Sequence, residues 1–256
     1  MRTSVFVALT LSTAVAAAQP ATAQERSFNF ALRGGVGTAP DYPGGSTYGA
    51  QPDIGFTFGA LKLGSIKVGN GIGSVPATGL AFRGAFRVVG SRKASDNAEL
   101  AGLTDIDTAV ELGFGVIYRE TNWQVFGDVR HGFGGHHGVT GTVGFDTIFR
   151  PNDRLTVTLG PRINFGDSEY ASTYFGVTAA EAAASTYTAY AADGGVLGGG
   201  VALEATYRLD DRWSVEGLLS YEKLLNDARL SPITQAGSKD QWTLRIGLSR
   251  AFTLQF

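Results

Sequence analysis

The 256-residue sequence contains no cysteine. This absence excludes disulfide-stapled folds, thiolate metal centres and cysteine nucleophiles. Charge is also scarce: charged residues make up 17% of the chain, against about 25% in an average soluble domain. A net charge of −2 gives no reason to expect a nucleic-acid partner. With only eight prolines and 43% hydrophobic residues, the composition is not that of a disordered linker.

Glycine is the residue that the sequence has in excess, with 36 copies, about twice the average usage. The glycines follow no three-residue period, which excludes collagen. The length suits one large domain, because all-β barrels commonly form a single domain of about 200–250 residues.

The longest apolar run lies at the start of the chain. Arg2 precedes apolar residues 5–18, and Ala21-Thr22-Ala23 forms a small-x-small cleavage site. These features predict a secretory signal peptide at residues 1–23, cleaved after Ala23, and a single barrel domain at 24–256. The alternative, a membrane anchor, is disfavoured because the run is shorter than the ~20 residues that span a bilayer.

The rest of the chain alternates between apolar and polar residues with a period of two. From Trp242 to Phe256 the even positions are apolar except for Arg250, while the odd positions are small or polar. A helix has a period of 3.6 and would not sort residues in this way. The pattern predicts eleven strands: 28–36, 51–58, 61–69, 78–89, 105–119, 121–131, 138–150, 154–166, 196–209, 211–224 and 240–256.

Three features favour a membrane barrel over a soluble sheet. The segments are about as long as tilted membrane strands. Aromatic residues stand beside short turns, as Tyr118 and Trp123 do, where an interfacial girdle would lie. The polar face consists of small and hydrophilic residues, whereas a soluble ligand-binding barrel places large apolar residues inside. A soluble periplasmic β-protein is the weaker alternative.

We therefore expect an all-β, transmembrane, antiparallel up-and-down β-barrel. Bacterial barrels have even strand counts, so we expect about twelve strands, with ten as the alternative. Short periplasmic turns are expected near residues 120–122, 150–153 and 209–212, and longer extracellular loops near 131–138, 166–195 and 224–240. In the longest loop, Thr178 and Glu181 form a capping-box pattern before an alanine run, which predicts a short helix that plugs or covers one mouth.

Charged residues fall on the face expected to line the lumen. They are Arg83, Arg87, Asp107, Glu111, Arg119, Asp128, Arg130, Asp146, Arg162, Glu204, Glu216 and Arg245. Paired carboxylates occur in hydrolases, but mixed-sign charges in a narrow interior also satisfy one another. We expect these residues to have a structural or channel-lining role.

The three histidines share one glycine-rich segment, as His131, His136 and His137. Imidazole pairs bind zinc or copper, but adjacent residues on a strand point apart, and the segment contains no carboxylate after Asp128. A serine hydrolase needs a serine–histidine pair with an orienting acid, and no such triad is assignable here. We expect no catalytic residues, no metal and no cofactor.

Several short sequence segments, taken together with their order and spacing, resemble the MipA/OmpV family. They are Gly34-Gly35-Val36-Gly37-Thr38-Ala39-Pro40-Asp41-Tyr42-Pro43-Gly44, Gly102-Leu103-Thr104-Asp105-Ile106-Asp107, Gly134-Gly135-His136-His137-Gly138, Tyr174-Phe175-Gly176-Val177-Thr178 with Glu181-Ala182-Ala183-Ala184-Ser185, and Ser231-Pro232-Ile233. The resemblance covers essentially the whole mature chain. One departure is His137, which stands where the family usually has an acidic residue.

This resemblance implies a barrel in the outer membrane of Gram-negative bacteria. Its partners would be outer-membrane lipid, the barrel-assembly machinery and, by resemblance, a murein lytic transglycosylase and a penicillin-binding protein. The implied function is a non-enzymatic scaffold that links cell-wall enzymes to the outer membrane. Other members are described as osmoregulated or porin-like, so the alternative is a narrow diffusion channel for small solutes. The resemblance carries over no catalytic residues.

Overall fold

A computed structural model of the chain describes residues 26–63, 66–69 and 78–256; the expected signal peptide lies outside the described residues. The strands are β1 Arg26–Pro40, β2 Tyr48–Leu63, β3 Ile66–Gly69, β4 Gly79–Val89, β5 Ala109–Arg119, β6 Trp123–Gly134, β7 Val139–Phe149, β8 Leu155–Gly166, β9 Gly195–Arg208, β10 Trp213–Leu224 and β11 Asp240–Gln255. The helices are α1 Ser168–Phe175, α2 Ala179–Ala184, α3 Asn226–Leu230 and α4 Pro232–Ala236, with a 3-10 turn at Ala98–Leu100.

The strands form one antiparallel sheet in the order β3-β2-β1-β11-β10-β9-β8-β7-β6-β5-β4. Each strand pairs with a neighbour in sequence, except that β1 also pairs with β11 and so joins the two ends of the chain. The sheet curls until β4, at one end of it, lies against β2 and β3 at the other. The prediction of an all-β, antiparallel up-and-down barrel is confirmed.

Ten of the described strands contain 11 to 16 residues, and β3 contains four. The alternative count of ten matches the long strands, and the described residues contain no further pair of long strands that would make twelve. None of the described helices is long and apolar enough to cross a bilayer.

Alternate side chains of every long strand point outward and are mostly apolar, with His131 and Arg250 among the exceptions. Phe114 is 74% exposed and Leu80 is 72% exposed, which in water would be a large unfavourable surface. The apolar faces are bounded by aromatic contacts, such as Tyr221 against Trp242 at one end of the barrel (4.9 Å between ring centroids) and Phe30 against Phe252 at the other (5.2 Å). These rings lie where the two interfacial girdles of a membrane barrel are expected.

The distance between the girdles fits a bilayer. Trp242 and Phe252 are ten residues apart on β11, which is about 34 Å of strand and, at a tilt of about 40°, about 26 Å of depth. Arg250 interrupts the apolar row between them, but its guanidinium lies 5.1 Å from the ring centres of both Trp213 and Phe252. A cation stacked on girdle aromatics is well placed at the membrane–water interface.

Two predicted strands, 51–58 and 61–69, are wrong as drawn. β2 runs without a break from Tyr48 to Leu63, because a register shift opposite Asn29 and Phe30 absorbs one extra residue of β2. Pro52 lies within β2 and pairs with Val36. The only other described partner of β2 is β3, at residues 60–63, so Pro52 removes no ladder hydrogen bond on that second edge.

The strand predicted at 105–119 begins only at Ala109. The preceding residues turn away, because Ile106 forms an isolated bridge with Arg92 in the same loop. The predicted loop at 131–138 is also shorter than expected, since β6 continues to Gly134 and β7 begins at Val139. Strand pairing there extends to the pairs Ala109 with Gly134 and His131 with Val139.

The long connections meet at one end of the barrel and bury two hydrophobic clusters. One contains Tyr170, Tyr174 and Phe175 of α1 together with residues of β9, β10 and α3. The other joins Tyr42 and Ile233 to the loop between β4 and β5. The capping box predicted at Thr178 and Glu181 is confirmed as the start of α2.

Candidate functional site

The densest groups of charged side chains lie on the inward face of the barrel rather than in a surface pocket. Its upper part, at the end with the long connections, is built around Glu111. We call Arg87, Glu111, Asp128, Arg130, His136 and Thr140 the Glu111 cluster. β5 places Glu111 on the inward face, and its side chain is completely buried.

Glu111 accepts hydrogen bonds from four side chains. Arg87 donates from Nε (2.8 Å) and Nη2 (2.5 Å), and Arg130 donates from Nε (3.0 Å). Thr140 Oγ1 lies 3.0 Å and His136 Nε2 3.2 Å from the same carboxylate. Because both oxygens are fully engaged, this carboxylate has the environment of a structural hub rather than of a free general base.

A polar chain continues from the Glu111 cluster around the lumen wall. Arg130 also pairs with Asp128 and donates to Thr142 Oγ1 (3.0 Å). Thr142 in turn donates to Asn164 Oδ1 (3.0 Å), and Asn164 Nδ2 donates to Glu222 Oε1 on β10 (2.8 Å). The chain thus joins five strands, β5 to β8 and β10, at one level of the barrel.

Helix α1 covers the Glu111 cluster and acts as a plug. The ring of Tyr170 lies 5.1 Å from His136 and 5.9 Å from the guanidinium of Arg87. Tyr174 is completely buried, with its ring 5.6 Å from that of His136. The aromatic face of α1 therefore rests directly on the charged residues of the lumen.

Two hydrogen bonds from neighbouring loops hold the end of α1. Arg92 Nη1 donates to the carbonyl of Tyr174 (3.0 Å), and Ser231 Oγ donates to the carbonyl of Phe175 (2.6 Å). Both donors are buried. They satisfy carbonyls at the C-terminus of the helix that have no partner within it.

His136 is held neutral beneath the plug. Burial lowers its pKa below the ordinary value of 6.5 and outweighs the Glu111 carboxylate, which acts in the opposite direction; the positive charge of Arg87 adds to the lowering. In the neutral ring Nε2 carries the proton and donates to Glu111, while Nδ1 has no partner among the described residues. Burial likewise raises the pKa values of Tyr170 and Tyr174, so both phenols stay protonated.

Glycine makes room for this arrangement. A Cβ at Gly132 would lie 2.2 Å from His136 Cε1, and a Cβ at Gly138 would lie 2.4 Å from the backbone nitrogen of Tyr170. Both distances are far below van der Waals contact. The plug seats only because these two positions have no side chain.

The lower part of the lumen, at the end with the short turns, holds a second group that we call the Asp146 cluster: Gln124, Asp146, Arg162 and Glu204. Arg162 Nη1 donates to Asp146 (2.7 Å) and its Nη2 lies 3.6 Å from Glu204. Gln124 donates to Asp146 from Nε2 (2.8 Å). The inward ring of Phe126 lies between two guanidiniums, 4.6 Å from Arg83 and 4.9 Å from Arg162.

A third group, the Asp53 cluster, occupies the wall formed by β1, β2, β10 and β11. Arg33 Nε donates to Asp53 (2.7 Å) and its Nη1 pairs with Glu216 (3.0 Å). Arg245 Nη1 completes the group at 3.3 Å from Asp53. Three sets of mixed-sign pairs therefore cross-link the lumen wall.

Of the twelve charged residues expected in the lumen, eleven lie on inward strand positions and take part in these groups or lie beside them. Asp107 does not: it is exposed in the loop before β5, and its carbonyl lies against Gly135. The sequence interpretation missed Arg33 and Asp53, although both occupy polar positions of alternating segments. It also missed α1, whose signal is Asp167 as the N-terminal cap and two tyrosines four residues apart.

The three histidines do not converge. His131 points outward with its ring against Phe133, His136 lies under α1, and His137 is exposed. Within the described part of the chain, no group of three potential ligands is placed to hold a metal ion.

A family model described as MltA-interacting protein MipA matches residues 32–252, which is most of the sequence. The chain belongs to the MipA family. Together with the outward apolar faces of the strands and their two aromatic girdles, membership places this MipA-family chain in the bacterial outer membrane as a β-barrel protein. No protein of curated function matches the sequence.

Several solved outer-membrane proteins share features with this MipA-family barrel at low identity. Ail, the attachment invasion locus protein of Yersinia pestis, is 8% identical, with 90% of this chain and 100% of Ail covered and a TM-score of 0.28. OprG from Pseudomonas aeruginosa is 13% identical, with 89% and 97% covered and a TM-score of 0.29. The P. putida toluene transporter TodX is 8% identical, with 91% and 90% covered and a TM-score of 0.31.

Proposed function

We propose that this protein is a closed, non-conducting outer-membrane barrel that anchors a murein lytic transglycosylase of the MltA type at the inner face of the outer membrane. The observation that carries the proposal is the seating of α1 on the Glu111 cluster. A helix with completely buried aromatic residues, latched by Arg92 and Ser231, occupies the mouth through which a solute would have to pass. The description of the family as MltA-interacting supports the partner.

In this proposal the short turns form the docking surface for the partner. The three short connections, at residues 120–122, 150–154 and 209–212, all contain charged side chains. Among them are Arg150, Asp153, Asp210 and Arg212. A compact charged rim suits a reversible, electrostatically steered contact, which gives rapid association more than high affinity. The role is a scaffold, and a penicillin-binding protein is the second enzyme that the scaffold would bring together.

Crosslinking in isolated envelopes, followed by pull-down on tagged protein, tests this function. We expect a murein lytic transglycosylase to be recovered with the wild type and to be lost when the charges of the turns at 150–154 and 209–212 are neutralised. Substitution of the exposed loop residue Asp107 at the opposite end serves as the control and should leave recovery unchanged. Absence of any murein enzyme from the crosslinked wild-type sample would contradict the proposal.

A narrow diffusion channel is the second candidate, because one specific feature favours it. The lumen has half-exposed charged side chains, with 54% exposure for Glu204, 41% for Arg245 and 40% for Arg87. Such a surface would suit a water-filled passage if α1 left the mouth. Planar-bilayer conductance of the folded wild type separates the two candidates.

A further inference from the structure

Arg250 interrupts the outward apolar row of β11 and is exposed. It lies eight residues from Trp242, which is about 27 Å of strand and, at a tilt of about 40°, about 21 Å of depth. That depth brings Arg250 to the edge of the girdle at the end with the short turns. A cation on the lipid face is costly at the midplane of a bilayer and close to neutral at its edge. Arg250 therefore lies at the level where lipid headgroups begin.

The guanidinium of Arg250 is held by two aromatic rings and keeps its donors unused. Trp213 pairs with Arg250 across β10 and β11, and Phe252 is the next outward residue of β11. The guanidinium carbon lies 5.1 Å from each ring centre. Arg250 forms no hydrogen bond and no salt bridge with any residue that the structure describes. Stacking fixes the position of the group, and its five N–H donors stay available for a partner.

The carboxylates near Trp213 in sequence do not supply that partner. Asp210 Oδ1 accepts from the backbone nitrogens of Arg212 (2.7 Å) and Trp213 (2.8 Å). Glu216 points into the lumen, where it pairs with Arg33 (3.0 Å). Because Arg250 has no carboxylate partner in the described part of the chain, the anion that matches it has to come from the surroundings.

The surroundings of Arg250 identify the chemistry of that anion. Leu32 pairs with Arg250 on the β1 side and is 47% exposed, and Leu248, the preceding outward residue of β11, is 42% exposed. These side chains face the acyl chains of the bilayer. A lipid that lies along them brings its phosphate to the level of the guanidinium, and guanidinium binds phosphate with two parallel hydrogen bonds.

We propose that Arg250, stacked on Trp213 and Phe252, is a binding site for the phosphate of an anionic phospholipid in the leaflet at the end with the short turns. Leu32 and Leu248 contact the acyl chains of that lipid. A lipid whose headgroup carries its own ammonium binds more weakly, because the ammonium offsets the charge that attracts Arg250. The site lies on the outside of the barrel and depends neither on the closure of the lumen nor on the anchored enzyme.

Native mass spectrometry of the full, detergent-folded protein, titrated with phosphatidylglycerol, tests this site. We expect R250Q to bind its first phosphatidylglycerol at least about tenfold more weakly than the wild type does, because a charge-assisted contact is lost. R154Q is the matched control: it removes an exposed arginine from a short turn at the same end. R154Q should bind as the wild type does. Heat-modifiable gel mobility must show that both variants are folded.

Two competing ligands identify the source of the phosphate. Phosphatidylcholine should bind the wild type several-fold more weakly than phosphatidylglycerol, and glycerol 3-phosphate, which has no acyl chains to contact Leu32 and Leu248, should not displace the lipid. Displacement by glycerol 3-phosphate at concentrations similar to those of the lipid would show a free-phosphate site and overturn the lipid assignment. Equal phosphatidylglycerol affinity of the wild type and folded R250Q, or an equal loss in R250Q and R154Q, would overturn the role of Arg250.

Discussion

At the scale of single residues, the period-two pattern predicts which side chains face the lumen but not which of them meet. The pattern predicts that Glu111 faces the lumen, and it lies there completely buried. Its partners come from 19 to 29 positions away along the chain. Such contacts depend on strand register and on the curvature of the sheet, and neither is encoded in local alternation.

Replacing Glu111 with glutamine should destabilise the barrel strongly. The amide keeps the shape but removes the charge that buried Arg130 and half-exposed Arg87 share, and loss of one partner of a buried pair costs about 3–5 kcal/mol. Denaturant unfolding in detergent, followed by gel mobility, measures the change. Asp107→Asn is the matched control, because that carboxylate is exposed, and it should unfold as the wild type does. Equal stability of E111Q and D107N would refute the role of Glu111.

Gly132→Ala should disturb the plug more than the strands. Its Cβ would lie 2.2 Å from the ring of His136, and overpacking of this kind costs about 1–3 kcal/mol. Gly127→Ala lies on the same strand, where the nearest atom would be 3.7 Å away, and should be tolerated. Proteinase K cleavage within residues 167–194 is the readout: it should accelerate in G132A alone, and the idea fails if both variants are cleaved at the wild-type rate.

At the scale of elements, local sequence signals predict α2 but not α1, the helix that covers the Glu111 cluster. The capping box of Thr178 and Glu181 predicts α2, and backbone hydrogen bonds there hold the pKa of Glu181 at about 2. α1 carries a weaker signal, since Asp167 accepts from the backbone of Tyr170 without a reciprocal partner. The position of α1 follows from tertiary packing, because its aromatic rings pack against side chains of the lumen.

The plug should loosen in acid because of His136. Its folded-state pKa is depressed, so the folded chain binds fewer protons than the unfolded chain below about pH 6.5. The stability of the plug is therefore fully present above pH 6.5 and is lost as the pH falls toward the depressed value. Cleavage within residues 167–194 should rise several-fold from pH 7.5 to 5.5 in the wild type and in H137Q, but should stay flat in H136Q. A pH response in H136Q equal to that of the wild type would exclude His136 as its source.

At the scale of the whole molecule, the sequence predicts the barrel class well and its closure poorly. Long alternating segments and aromatic residues beside short turns are local features of the sequence. They predict the outward apolar faces of the strands and the aromatic girdles that bound them. The predicted division into strands 51–58 and 61–69 is wrong because glycine and Pro52 weaken the alternation there, whereas in the structure a bulge lets β2 continue through that region. Whether the lumen is open depends on α1, which no strand pattern reveals.

The excess of glycine is also explained at this scale. A Cβ at Gly113 would lie 1.9 Å from the carbonyl oxygen of Val129, and one at Gly160 would lie 1.7 Å from that of Phe145. Inward glycines therefore allow neighbouring strands to come close on the concave side of a small barrel. Together with those beneath α1, they make a narrow lumen that charged side chains and one helix can close.

Planar-bilayer conductance tests the central claim, a lumen closed by α1, most directly. The wild type should be silent, because the buried face of α1 covers the Glu111 cluster. A variant with Tyr170 and Tyr174 both replaced by serine removes the two rings that seat the helix, and it should show openings while remaining heat-modifiable. A steady ohmic conductance from the folded wild type, equal to that of the double variant, would contradict the account.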